Sequence, residues 1–228
     1  GYYAMRANTT GAYNTAIGYR ALDENTIGKD NTALGNESLF SNTTGNDNVG
    51  VGKHTLRANT IGINNTAVGR GAMYNNTTGT DNVAIGKSAL YTNTIGSGSV
   101  AIGKGALQTN TTGVENIAIG LTALYGNTIG TKNIAIGYNA LQTNTTGSYN
   151  TAIGFRAGYA NTTGQYNIGV GYEALRYNTV GTYNTAVGDK ALYTNTTGSF
   201  NVAVGYYALK NNTIGQKNTA LGDYALDS

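Results

Sequence analysis

The sequence predicts an all-β chain, a parallel β-solenoid or β-roll of 17-residue coils, and three observations predict it. The first is an unbroken repeat. From Asn14 the chain reads Asn-Thr-Ala-Ile-Gly-Tyr-Arg-Ala-Leu-Asp-Glu-Asn-Thr-Ile-Gly-Lys-Asp, and Asn31 restarts the phrase, with no insertion or deletion to the end. The second is composition: 228 residues carry 34 Gly, no Pro, no Cys and no Trp, and only 11% are charged. That Gly share is about twice the ordinary one and opposes helix. The third is a short apolar alternation bounded by Gly in every unit, which reads as a strand between turns.

Numbering the unit from Asn14 as position 1, position 1 is Asn throughout except at Ser99. Position 2 is Thr, Val or Ile, position 3 is Ala or Gly, position 4 is Ile, Val or Leu, and Gly holds position 5 from Gly1 to Gly222. A period-2 strand places positions 2 and 4 on one face and position 3 on the other. Both faces are restricted in composition, so both are expected to be buried, with branched ladders of Ile over Val inside. Ala, Ser or Thr at position 8 and Leu or Met at position 9 are expected to form a second short strand, with Gly158 the exception. Asn-Thr-(Thr/Ile/Val)-Gly at 12 to 15 then turns the chain, with Asn8 to Asn212 and Thr9 to Thr213 invariant. The Gly columns are expected to supply positive φ at tight corners, and the Asn side chains to bond along the stack.

A 17-residue unit cannot close a core alone, so units must stack. Residues 1–228 read as one continuous rod of about 13 coils, which at ~4.8 Å per coil is on the order of 60 Å long. Gly1 enters at position 5 and Ser228 stops at position 11, with no polar cap at either end. The expectation is an excerpt of a longer chain. Position 14 alternates Thr and Ile and slips by one coil near residues 147–164, beside Gly158. Two readings of that coil stand, a kink or attachment point and a tolerated defect packed over by Tyr159; the second is favoured.

Charged, Tyr and Phe residues all fall in positions 6–7, 10–11 and 16–17. A net charge of +3 argues against a nucleic-acid partner, and no apolar run is long enough to span a membrane. His54 is the single imidazole and the repeat gives it no partner, so the expected catalytic, metal and cofactor residues are none and the chain is not expected to be an enzyme. Asp23, Glu24 and Asp30 form an acidic cluster that reads as a weak Ca²⁺ corner or a solvated one; without a Gly-Gly-x-Gly-x-Asp repeat the second is preferred. Asn42, Asn76 and Asn110 open Asn-Thr-Thr sequons, yet Asn25 and Asn59 persist where the acceptor is broken, so the column is structural. The Thr column fits a flat ice-binding face or simple β-branched packing.

Two surface features remain as candidate contacts. Position 17 carries Tyr149, Tyr166, Tyr183 and Phe200 in successive coils, a ladder that offers ring area for sugars or neighbouring fibres, with self-stacking for stability as the equal alternative. Position 6 carries Lys53, Arg70, Lys87 and Lys104 consecutively, a basic ridge that repels itself unless screened or paired.

Asn-Thr-Ala-Ile-Gly and Ser99-Val-Ala-Ile-Gly103 resemble the head repeats of trimeric autotransporter adhesins. The longer phrase Asn-Thr-Ala-Ile-Gly-x-x-Ala-Leu-x-x-Asn-Thr-Thr-Gly resembles repeats of fibre-like surface and phage-tail proteins. The resemblance implies a homotrimeric β-roll fibre with itself as partner, located outside the cell on a cell surface or virion. A strand with two restricted faces also asks for a second layer from another chain, so a charged change at Ala118 or Ala135 is expected to block association. The functional expectation is an extracellular structural or adhesive fibre that contacts surface polysaccharide or host-cell glycan. The alternative is a monomeric ice- or glycan-binding β-solenoid.

Overall fold

The computed structural model describes residues 1–227, a parallel β-solenoid with 17-residue coils and, among these residues, no helix. The chain divides into two compact units. Unit 1, Gly1–Val114, holds β1 to β6: Thr15–Ile17, Thr32–Leu34, Val49–Val51, Thr66–Val68, Val83–Ile85 and Val100–Ile102. Unit 2, from Glu115 onward, holds β7 to β13: Ile117–Ile119, Ile134–Ile136, Thr151–Ile153, Ile168–Val170, Thr185–Val187, Val202–Val204 and Thr219–Leu221. Within each unit every strand pairs in parallel with the next at an offset of one repeat, as in Thr66↔Val83 and Thr151↔Ile168. Positions 2 to 4 are therefore the strand, as the alternation predicts.

The expected second strand is absent. Positions 6 to 11 form consecutive turns, because positions 7 and 9 take left-handed backbone. Position 9 sits at φ 47° to 54° in every coil with Leu or Met, and positions 7 and 17 lie near 50° to 60° wherever they are not Gly. A non-Gly residue there costs ~1 kcal/mol or more. What offsets the strain is bonding between coils. The position-9 amide donates to the position-8 carbonyl of the next coil (Leu56 to Ala72, 3.0 Å), and the position-7 amide donates backwards (His54 to Asn36, 2.9 Å).

The interior also differs from the expectation. Position 3 points inward and is fully buried (Ala33, Ala67, Ala84, Ala118, Ala135), with Ala at position 8 and Leu at position 9 opposite it. The branched residues at 2 and 4 point outward and remain partly exposed: Ile85 is 40% exposed and Ile168 42%. The cause is width. A coil whose other wall contributes Leu and two Asn leaves room for only a methyl group from the strand. Ala118 and Ala135 thus lie inside the coil, so charge placed there would disrupt the fold itself.

Asn at positions 1 and 12 completes the core as two amide ladders. Asn65 donates through Nδ2 to Asn48 Oδ1 (3.1 Å) and Gly79 O (2.9 Å), and its own Oδ1 accepts the backbone N–H and side chain of Asn82 (3.1 and 3.2 Å). Asn76 likewise bonds Asn59 (2.8 Å) and Gly79 O (3.0 Å). Both columns are buried and every amide points the same way along the stack, so no polar atom loses water without replacement. The sequon asparagines Asn42, Asn76 and Asn110 belong to this buried ladder.

The two Gly columns have different causes. Position 5 does use positive φ, between 113° and 140°. Position 15 does not: there a Cβ would collide with the Asn side chain of its own coil and the Gly carbonyl of the next, as at Gly62 and Gly147. At Gly158 the strands run through in register on both sides, β8 to β9 to β10. No kink forms. Leu141 leans towards the missing side chain, leaving a void of about 10 Å³ lined by Leu141, Ala152, Gly158 and Leu175, too small for a guest. Leu141, and not Tyr159, does the covering.

Candidate functional site: the outward columns

Exposure alternates across each coil: position 17 out, 1 in, 2 out, 3 in, 4 out, with position 6 exposed beyond the Gly turn. The outward surface of every strand is therefore a pair of Thr, Val, Ile or Leu side chains bracketed by a position-17 and a position-6 residue. This apolar strip stays partly exposed in every strand.

In unit 2 the brackets are aromatic. Tyr149, Tyr166, Tyr183 and Phe200 stack with ring centroids 4.9, 4.8 and 5.1 Å apart and planes within 8° of parallel. The strand spacing itself dictates this separation. It also corrects the idea of a sugar stacked on each ring, since both faces of Tyr166 and Tyr183 are occupied by neighbouring rings. The ladder offers edges and hydroxyls outward. A second ladder at position 6, Tyr138, Phe155 and Tyr172, stacks at 5.3 and 5.2 Å. It was legible in the sequence as another run in a variable column.

In unit 1 four successive position-6 residues are basic instead. Lys53, Arg70, Lys87 and Lys104 are exposed, and none forms an ion pair among the described residues. Position 17 carries Asp30, Asp47 and Asp81, also exposed and, among the described residues, without a cationic partner; Asp81 accepts from Asn64 Nδ2 at 3.0 Å. An open cleft of about 260 Å³ lies along the ridge, lined by His54, Arg70, Tyr74, Lys87, Ser88 and Tyr91.

The other candidates resolve into structural roles. Of the acidic corner, Asp23 is buried and paired with Arg6 (3.0 Å) and Arg20 (2.7 Å), Glu24 is half-buried, and Asp30 is exposed. Among the described residues no group of three His, Cys, Asp or Glu could hold a metal. His54 has a carboxylate neighbour that the repeat does not show, Glu37 at 3.6 Å, and its ring meets Tyr74 edge-on at 6.0 Å. Burial holds the imidazole below its ordinary pKa, with Glu37 pulling the other way. Glu37 itself is held below the usual carboxylate range, chiefly by its 2.6 Å hydrogen bond from Arg57. The Thr column spends its hydroxyls internally: Thr60 Oγ1 donates to Thr77 O at 3.0 Å, and the same bond recurs at Thr145 and Thr179. Searches against protein-family models, curated proteins and solved structures return no match.

Proposed function

We propose that the chain is the shaft of an extracellular structural or adhesive fibre, assembled as a homotrimer or filament. One observation carries the reading: the branched residues of every strand face outward, on a surface that repeats with each coil, while the interior is already closed by Ala, Leu and Asn. A regular apolar sheet face left partly exposed over successive strands is the mark of an association surface. The stacked aromatics are in keeping with a mechanical role. Attachment to polysaccharide or host-cell glycan belongs to the same proposal, through the hydroxyl edges of the position-17 ladder.

Light scattering of the full chain tests it. Self-association is expected, and Ile119→Glu together with Ile136→Glu, both on the outward face, should return it to a monomer with unchanged circular dichroism. A wild-type chain that stays monomeric at high concentration would reverse the reading in favour of the monomeric ice- or glycan-binding solenoid.

A further inference from the structure

Unit 1 sets an electrostatic problem that its own side chains leave unsolved. Across β3 the outward row reads Asp47, Val49, Val51, Lys53, and across β5 it reads Asp81, Val83, Ile85, Lys87. Acid stands on one side of the apolar strip and base on the other. The bases Lys53, Arg70, Lys87 and Lys104 follow one another at about the coil spacing, ~4.8 Å, well inside a Debye length, so that column repels itself, while Asn64 separates Asp47 from Asp81 by two coils. These acids and bases form no ion pair with each other or with any other described residue.

The geometry points to a second copy of this chain as the occupant of this face, seated parallel to the first so that the acidic column of each copy meets the basic column of the other. The inference rests on the self-associating fibre proposed above and adds its direction. Rotation about an axis parallel to the stack carries the position-17 edge of one copy onto the position-6 edge of its neighbour, for two copies or for three. In register, Asp47 then faces Lys53 and Asp81 faces Lys87 on each shared edge. Turning one copy end over end instead brings acid against acid and base against base.

An anionic polymer would satisfy the basic column alone and leave both the apolar strip and the acidic column unmet; a second copy answers all three. Each exposed ion pair adds little by itself. The apolar strip supplies the affinity, and the charged edges choose the orientation by penalising the wrong one.

Sedimentation of the full chain at low and high salt tests the direction. Lys53→Glu with Lys87→Glu puts acid on both sides of β3 and β5, and Asp47→Lys with Asp81→Lys puts base on both sides of the same strands; all four sites are exposed, so the fold should survive. Each double variant alone should associate at least about tenfold more weakly at low salt. Mixing the two should restore association. Because the chain has no cysteine, Asp47→Cys and Lys53→Cys copies should crosslink when mixed and not when separate.

Wild-type association that is indifferent to both reversals would overturn this inference and leave the fibre reading standing. Self-crosslinking of Asp47→Cys would overturn the parallel sense. A wild-type monomer would sink both proposals, and retention of that monomer on heparin, lost in the Lys53→Glu, Lys87→Glu variant, would assign the ridge to an anionic polymer instead.

Discussion

Units 1 and 2 share an interior and differ in what they show to solvent. Ala67 and Ala152, Leu90 and Leu175, Asn65 and Asn150 play the same roles at the same positions. Yet position 6 is Lys53, Arg70, Lys87 and Lys104 in unit 1 and Tyr138, Phe155 and Tyr172 in unit 2, while position 17 changes from Asp30, Asp47 and Asp81 to Tyr149, Tyr166 and Tyr183. The lesson is that the coil separates its tasks by column. Inward columns are set by the width of the coil and by amide bonding, and outward columns are free to carry either charge or aromatic surface without disturbing the fold.

The largest expected effect breaks the shared part. Asn65→Ala in unit 1 and Asn150→Ala in unit 2 each remove an amide that bonds the coils on both sides and leave buried partners unpaired. Both should cost about 3 to 5 kcal/mol in thermal or denaturant unfolding. A large difference between the two would mean that the interiors are not equivalent.

The next separates the outward columns. Replacing Tyr149, Tyr166 and Tyr183 together by Ser removes three stacked contacts and should cost about 2 kcal/mol. Replacing Asp30, Asp47 and Asp81 by Ser should change the stability of the isolated chain by less than about 0.5 kcal/mol. Equal effects would show that the aromatic ladder is decoration and not a contributor to stability.

A smaller effect has the opposite sign. Gly158→Leu places the residue found in most other coils into the void beside Leu141, whose Cδ2 would lie 2.9 Å from the new Cβ and must swing back. Recovered burial should exceed the left-handed strain by about 1 kcal/mol, raising the melting temperature. A fall instead would show that the surroundings have closed around Gly158.

The smallest is specific to unit 1. Glu37 has its folded pKa lowered by Arg57, so its contribution is present above the unfolded carboxylate value near 4.3 and is lost as pH falls through the folded value. His54, lowered by burial, adds a loss in the same direction as pH drops below about 6.5, where the unfolded imidazole takes up a proton. Together they should amount to less than about 1 kcal/mol, since both side chains are part exposed. Glu37→Gln should flatten the acid limb of the stability curve, and an unaltered limb would remove this pair from the account.

Much was fixed by the sequence alone. The repeat, the three-residue strand between Gly-bounded turns, the confinement of charged and aromatic residues to three pairs of positions, and the position-17 ladder all follow from spacing, because an unbroken period stacks like on like. The direction of the strand faces was decided only in three dimensions. Period 2 says that positions 2 and 4 lie opposite position 3, but not which side is in; hydrophobicity favours the branched residues, and coil width overrules it. The Asn ladders follow from the 17-residue spacing, but their burial was decided only in three dimensions, where a Gly carbonyl supplies the second partner each amide needs. The left-handed turns that remove the second strand were equally invisible, because Leu at φ near 50° is held there by hydrogen bonds to other coils and not by its own preference.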